Sequence, residues 1–421
     1  QDKIDHFPCR RFAPLFLVVP VCIDAVQIHT VVAELDDLVS DYQGRPVTAA
    51  ELRDVPARIT RHYVENGYVT SGALLPDQTV QDGNVTILIV EGSITEIELE
   101  GQRHLRPGYL TGRLETAAPL QVNELEQKIQ LLQRNPMVQR INAQVAPAPV
   151  QGENVLRVRV KEESPYAAGV VYDNGRPPSI GSDELEFWVM DKSLFGWGDR
   201  LEAHNSINDG PNGYWVGYSL PLNPRDTTLA VAYERNDSLV IEKPFDDIDI
   251  ESRFNRAEIS LRHPFIKTLE QELALSVGLE WRHAETYLLN EDYSFAPGVD
   301  NGETRVTLIH FVQEWLDRGQ DRLVALRSDI RWGVDLFDAT VNSHLPDGEY
   351  VGWEGQFQWV ERLPVLDSRL VVRGIAQLAS NGLLPSEKFS IGGMDTVRGY
   401  RENYLTTDEG VVAGIEWQVP V

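Results

Sequence analysis

Between residues 47 and 70 the apolar positions Leu52, Val55, Ile59 and Tyr63 recur at spacings of three and four, one stripe on a helical period. Thr48 with Glu51 three residues later is a capping-box pair, and Gly67 is placed as a C′ stop, so the pattern predicts a helix from Thr48 to about Asn66. Tyr68-Val69-Thr70 then begins a strand, Asp82-Gly83 makes a turn, and Val85–Val90 is a strand closed by Glu91-Gly92. With a strand and a helix read ahead of Thr48, the unit runs strand, helix, helix, strand, strand. A similar order follows. Ser93–Leu99 alternates as a strand, Val122–Arg134 is helical with Leu125, Ile129 and Leu132 on one face, and Ile141–Val145 pairs with Val155–Val160. Two small α+β modules in series are predicted, a repeat of about 70 residues that rests on element order. One larger α+β domain is the alternative.

From Pro165 onward strict alternation replaces the helical period. Leu273, Leu275, Val277, Leu279 and Trp281 stand against Glu272, Ser276, Glu280 and Arg282. Val324, Leu326, Ile330 and Trp332 stand against Arg327, Asp329 and Arg331, and Val351, Trp353, Phe357 and Trp359 against Glu354, Gln356 and Gln358. Turn clusters such as Asp173-Asn174-Gly175, Asn208-Asp209-Gly210-Pro211, Pro221-Leu222-Asn223-Pro224 and Pro346-Asp347-Gly348 separate the strands. A soluble sandwich alternates too, but its strands average about five or six residues. Strands of about ten, with Trp281, Trp315, Trp332, Trp359 and Trp417 toward their ends, predict an antiparallel transmembrane barrel with a wet lumen. About twelve strands are legible, and the pattern is still running at Glu416–Val421. An open edge cannot stand in lipid, so either further strands lie beyond this sequence or a barrel of about twelve closes here.

Composition narrows the function. Among 421 residues, 64 Asp and Glu face 38 Lys and Arg, a formal charge of −26, which removes nucleic acid from the partners because phosphate binding needs a basic face. No apolar run is long enough for a spanning helix. Cys9 and Cys22 suit either one local disulfide in an oxidising compartment or two buried thiols, and do not form a metal set. The stretch Arg10–Cys22 resembles a signal core but carries Pro14 and Pro20 and lacks a small-x-small cleavage site, so it reads as mature sequence behind a leader already removed. No Gly-x-Ser-x-Gly, His-Glu-x-x-His or phosphate-loop motif occurs, and no enzymatic activity, cofactor or metal is implied. His62, His204, His263 and His310 read as structural or lumen-lining, and Asp246-Asp247 and Glu291-Asp292 as solvated loop carboxylates.

The segment Pro385–Tyr400, with Gly392-Gly393 and then Val397-Arg398-Gly399-Tyr400, resembles the Val-Arg-Gly-Tyr loop of two-partner-secretion outer-membrane transporters, the haemolysin secretion/activation and filamentous haemagglutinin transporter family. Arg61–Ser71 and Val90–Ile94 resemble the first POTRA domain of that family, and Leu194–Asp199 an early barrel turn. The resemblance implies two periplasmic POTRA domains, here residues 27–92 and 93–162 after an N-terminal segment 1–26, and a sixteen-stranded barrel, here residues 165–421 with its last strands missing. It implies an outer-membrane pore that recognises a large secreted exoprotein, an adhesin, haemolysin or toxin with β-helical repeats, and passes it to the surface. A barrel-assembly factor is the alternative. The family's pore-plugging helix is not legible in residues 1–14. The resemblance also implies that the loop folds into the lumen and that Arg398 meets an acidic residue on a later strand. Gly392, Gly393 and Gly399 are expected to let the loop fold back, Arg398 to pair through both arms of its fork, and Tyr400 to pack beside it.

Overall fold

The computed structural model describes residues 21–25, 32–80, 84–208, 212–344 and 346–420. The Cys9–Cys22 pairing, the apolar stretch from Arg10, residues 1–14 and the turns at Asp82-Gly83 and Asp209-Gly210 fall outside them; of Cys22 only the backbone is described. The chain divides into two compact units, Gln1–Glu163 and Ser164–Val421.

The first unit repeats one topology. Its first module runs β1 (Val21–Ala25), α1 (Val32–Val39), α2 (Ala49–Glu65), β2 (Gly72–Leu74) and β3 (Val85–Val90), with sheet order β1-β3-β2 and β1 parallel to β3. The second runs β4 (Ser93–Glu100), α3 (Pro107–Leu114), α4 (Val122–Gln133), β5 (Val138–Pro147) and β6 (Glu153–Glu162), with order β4-β6-β5 and β4 parallel to β6. The α2 helix opens on the Thr48/Glu51 capping box, both reciprocal hydrogen bonds being made. Those bonds, the Thr48 backbone N–H first, hold the Glu51 carboxyl down at about 2. Val55, Ile59 and Tyr63 are buried against Leu35, Val39, Ile87 and Ile89, whereas Leu52 is only half-buried. In the second module Leu110, Leu114, Leu125 and Leu132 close on Leu156, Val158 and Val160, each fully buried aliphatic contributing about 1.5–3 kcal/mol. The sequence pattern gave no sign of α3, because eight residues with Gly108 and Gly112 in them carry no period. No linker separates the modules: the Leu120 N–H donates to the Gly92 carbonyl at 2.7 Å and the Val122 N–H to the Gly67 carbonyl at 3.0 Å.

The second unit is an antiparallel meander. Its strands are β7 (Tyr166–Asp173), β8 (Glu184–Asp191), β9 (Arg200–Asn208), β10 (Gly213–Pro221), β11 (Thr228–Leu239), β12 (Ile250–Lys267), β13 (Gln271–Leu288), the two-residue β14 (Glu291–Asp292), β15 (Glu303–Arg318), β16 (Arg322–Gly333), β17 (Val351–Leu363), β18 (Ser368–Ala379), β19 (Phe389–Ile391), β20 (Leu405–Thr407) and β21 (Gly410–Gln418). From β8 to β18 each strand of the wall pairs with the one before it, except that β15 pairs with β13, beside which β14 also sits, and β21 follows β18. Among the described residues β7 and β21 pair on one side only. The pair β19–β20 forms a separate ribbon inside the connection between β18 and β21.

Register assigns the two faces. Val277 lies opposite Leu261 and Phe311, and Leu279 opposite Ile259 and Ile309, one apolar face. Glu280 lies opposite Glu258 and Leu308, and Arg282 opposite Arg256 and Val306, on the other. Strands β12 and β13 are 18 residues each, nearly twice the expected length, and Trp281 falls within β13 rather than at its end. The reason is visible on the outward face: Glu251, Arg253 and Asn255 precede Ala257, Ile259 and Leu261 on β12, and His263 follows them opposite Leu275, so only part of the long strand is lipid-compatible. About eight to ten tilted residues cover an apolar band of about 25 Å. The short turns 222–227, 268–270, 319–321 and 364–367 fall at one end of the wall and the longer connections 240–249, 289–302 and 380–409 at the other.

Candidate functional site

The polar face is a chain of paired charges. Glu280, 2 % exposed, lies 3.2 Å from Nε of Arg256 and against Arg282, with His310 Nε2 at 3.4 Å. His310 Nδ1 in turn sits 3.2 Å from Asp329. Two residues along β16, Arg331 pairs with Glu354 of β17 at 2.5 Å and donates to the side-chain oxygen of Gln377 on β18 at 3.1 Å. Buried charges persist only when so compensated. His204 lies between Glu186 and Glu202, at 3.0 and 2.9 Å, and His263 meets the Thr227 hydroxyl at 2.7 Å. Both histidines therefore have local structural partners.

Into this face folds the connection between β18 and β21. Leu383 and Leu384 bury themselves against Val306, Leu308 and Tyr350. At the next turn Glu387 inserts a fully buried carboxylate that accepts from Arg282 Nη1 on both oxygens, each at 2.9 Å, and from the Tyr350 hydroxyl at 2.7 Å. The Gln377 amide donates to the backbone carbonyls of Glu387 and Asp408, at 3.0 and 3.1 Å, joining the two feet of the loop. Phe389 is buried against Gly410, where a Cβ would stand 2.3 Å from the ring. The β19–β20 ribbon forms the stem, and the chain leaves it at Gly392 and Gly393, both at positive φ (119° and 97°), under the Arg401 carbonyl and the Glu402 carboxylate. Side chains are excluded there by conformation and by space.

At the tip, Arg398 donates from Nη2 to Glu416 Oε1 at 2.9 Å. Glu416 is six residues along β21 from Gly410, so the tip meets the wall about 20 Å from where the loop rejoins it. The sequence could not name this acidic partner; it stands on the strand directly after the loop. Three details differ from expectation. Arg398 engages through one nitrogen rather than a fork, and shares its oxygen with Arg373. Tyr400 packs on Tyr404, ring centroids 5.4 Å apart, rather than beside the arginine. Gly399 has φ 92° with open space about it, so it is required for backbone conformation and not for a close approach. Val397 lies partly exposed beside it, and Arg401 reaches Glu242 in the 240–249 connection at 2.9 Å. Glu387 lies within the Pro385–Tyr400 segment but carries no signal of its own in sequence: a carboxylate in a Ser-Glu-Lys run reads as solvated until Arg282 and Tyr350 are brought to it.

A repeated α+β module ahead of a long antiparallel sheet, polar on one face and apolar on the other, with a loop folded onto the polar face, defines a POTRA-bearing outer-membrane β-barrel. Residues 152–417, well over half of the chain, match the model of the haemolysin secretion/activation protein family ShlB/FhaC/HecB, and residues 26–92 that of the ShlB-type POTRA domain. The chain belongs to this family. It is 23 % identical over 405 residues to the outer membrane transporter CdiB of Dickeya dadantii, covering 91 % of this chain and 70 % of that one. To the heme/hemopexin transporter protein HuxB of Haemophilus influenzae it is 21 % identical, covering 93 % and 70 %. It covers 65 % of the CdiB of Escherichia coli strain 536, just under two thirds of that relative's length. Among solved structures it resembles CdiB from Escherichia coli with a TM-score of 0.73 at 20 % identity, covering 95 % of this chain and 75 % of that one. Its fold is also similar to BamA from Haemophilus ducreyi, at 0.57 and 14 %, covering 96 % and 83 %. The family places the barrel in the outer membrane and the POTRA region in the periplasm, and the short-turn end of the wall, from which β7 departs, is accordingly the periplasmic one.

Proposed function

We propose that this chain supplies the translocation pore of a two-partner pair: it receives a large secreted exoprotein in the periplasm and passes it, extended, through the barrel to the cell surface. The single observation that carries this reading is the loop 380–409 folded onto a charged, self-compensated lumen wall, with Arg398 reaching Glu416 about 20 Å along β21. A wall of Arg–Glu pairs keeps a translocating backbone hydrated without offering it an apolar surface to adhere to. The modules 27–92 and 93–162 are the receiving end. Strand β5 of the second sheet is an edge ten residues long, capped at its start by the Gln133 side chain on the Gln139 carbonyl and the Ile141 N–H, and it is beyond Ile141 that an incoming strand can add.

The barrel-assembly reading draws on the BamA likeness, which is one of fold. The family and the transporter relatives favour secretion. Deleting residues 27–162 while the barrel stays heat-modifiable on gels is expected to abolish export of its exoprotein partner; export at the wild-type level would refute the role given to the modules.

A further inference from the structure

The loop is held far more firmly at its root than at its tip. At the tip one guanidinium nitrogen of a largely exposed Arg398 meets a carboxylate oxygen already taken by Arg373. At the root the Glu387 carboxylate, with no exposed surface, receives Arg282, the Tyr350 hydroxyl and the Ser386 hydroxyl. Charge-assisted bonds away from water are the strong ones, and exposed pairs are worth little. Arg282 also touches Glu280, which is itself shared with Arg256 and His310, so removing Glu387 would leave that stretch of wall one negative charge short.

We infer that Glu387 is the positioning residue of the lumen loop: its pairing with Arg282 and Tyr350 fixes the loop's root to the wall, and movement of the loop is confined to the segment beyond Gly392-Gly393. Three independent contacts converge on this. Leu383 and Leu384 are buried beside Tyr350, Gln377 ties both feet of the loop together, and the paired glycines at positive φ stand immediately after the stem. Before them Leu383, Leu384, Glu387 and Phe389 are buried, and Arg398, Tyr400 and Tyr404 beyond them are exposed. The inference deepens the pore reading and rests on it for its conductance consequence, whereas its mobility consequence stands without it.

The test uses the full chain with Cys9 and Cys22 replaced, a nitroxide label at Ser390 in the stem or at Asp395 in the tip, and single-channel recording in planar lipid bilayers. Glu387→Gln is expected to loosen the Ser390 spectrum and raise the frequency of channel openings about tenfold; Arg398→Ala is expected to loosen Asp395 alone. Because Glu387 acts through Arg282, Arg282→Gln combined with Glu387→Gln is expected to open no more often than Glu387→Gln. If Glu387→Gln does not give a heat-modifiable barrel, Tyr350→Phe, which removes one donor and keeps the ring, is measured in the same way with a smaller rise expected. A Ser390 spectrum and opening frequency unchanged from wild type in the assembled variant would overturn the inference. A loosened Ser390 spectrum in a protein that never conducts, wild type included, would keep the root and refute the pore.

Discussion

Arg398 and Arg373 converge on a single oxygen of Glu416, one from the loop tip and one from the neighbouring strand β18. Glu416 is therefore never left without a cation when the loop tip leaves, and the tip can depart at little electrostatic cost.

From this sharing follows a modest effect of the tip arginine. An exposed pair of this kind contributes about 0–1 kcal/mol. Arg398→Ala is expected to leave a heat-modifiable barrel and raise the frequency of channel openings by a factor of about two to five, with Arg398→Lys close to wild type because only one nitrogen is engaged. A tenfold or larger effect of Lys would show that the fork matters.

The face assignment is tested on β13. Val277 is on the lipid side, between Leu261 and Phe311, and Ser276 on the lumen side, between Arg262 and Val312. An arginine facing mid-bilayer costs roughly 2–4 kcal/mol. Val277→Arg is expected to impair assembly in the outer membrane, measured by heat-modifiability and urea midpoint in liposomes, whereas Ser276→Arg is expected to assemble; equal tolerance would contradict the register.

The joint between the two modules turns on Gly92. A Cβ there would stand 2.2 Å from the Thr70 hydroxyl and 2.5 Å from its carbonyl, and the Gly92 carbonyl accepts the Leu120 N–H. Gly92→Ala is expected to lower the stability of residues 1–163 by about 1–3 kcal/mol in urea, read by circular dichroism.

Acid should weaken the second module through Glu162. Burial acts to raise its pKa, but the backbone N–H groups of His104 and Leu105, at 2.8 and 3.0 Å, together with the His104 ring, outweigh that and leave it below the usual carboxylate value of 4.5. A carboxyl whose folded pKa is depressed stabilises the fold above its unfolded pKa and loses that contribution as pH falls through the folded one. Glu162→Gln is thus expected to cost about 2 kcal/mol at pH 7, with the gap from wild type closing below about pH 4. A gap independent of pH would point to packing instead of charge.

Much of this is legible in the sequence, because the relevant physics is local and periodic. The Thr48 box, the Val55, Ile59 and Tyr63 stripe and the alternation about Val277 each need only their neighbours. The topological repeat of the modules was visible as element order, although short, glycine-bearing α3 was not. What could not be read depends on distant partners. Glu387 acquires its meaning from Arg282, 105 residues away, and Glu416 from a loop that descends the lumen. Strand length was underestimated because β12 and β13 continue past the apolar band, where the pattern turns polar outside as well as inside.

The central claim is that the exoprotein travels inside the barrel. On β17, Gln356 and Phe357 are neighbours on opposite faces, Gln356 opposite Arg327 toward the lumen and Phe357 opposite Leu326 toward lipid. A photo-crosslinking amino acid placed at either position, irradiated during export and probed for the client, reads the path directly. Client adducts at position 356 and none at 357 are the expected result; adducts at 357 alone, or none at 356 while export proceeds, would contradict passage through the lumen.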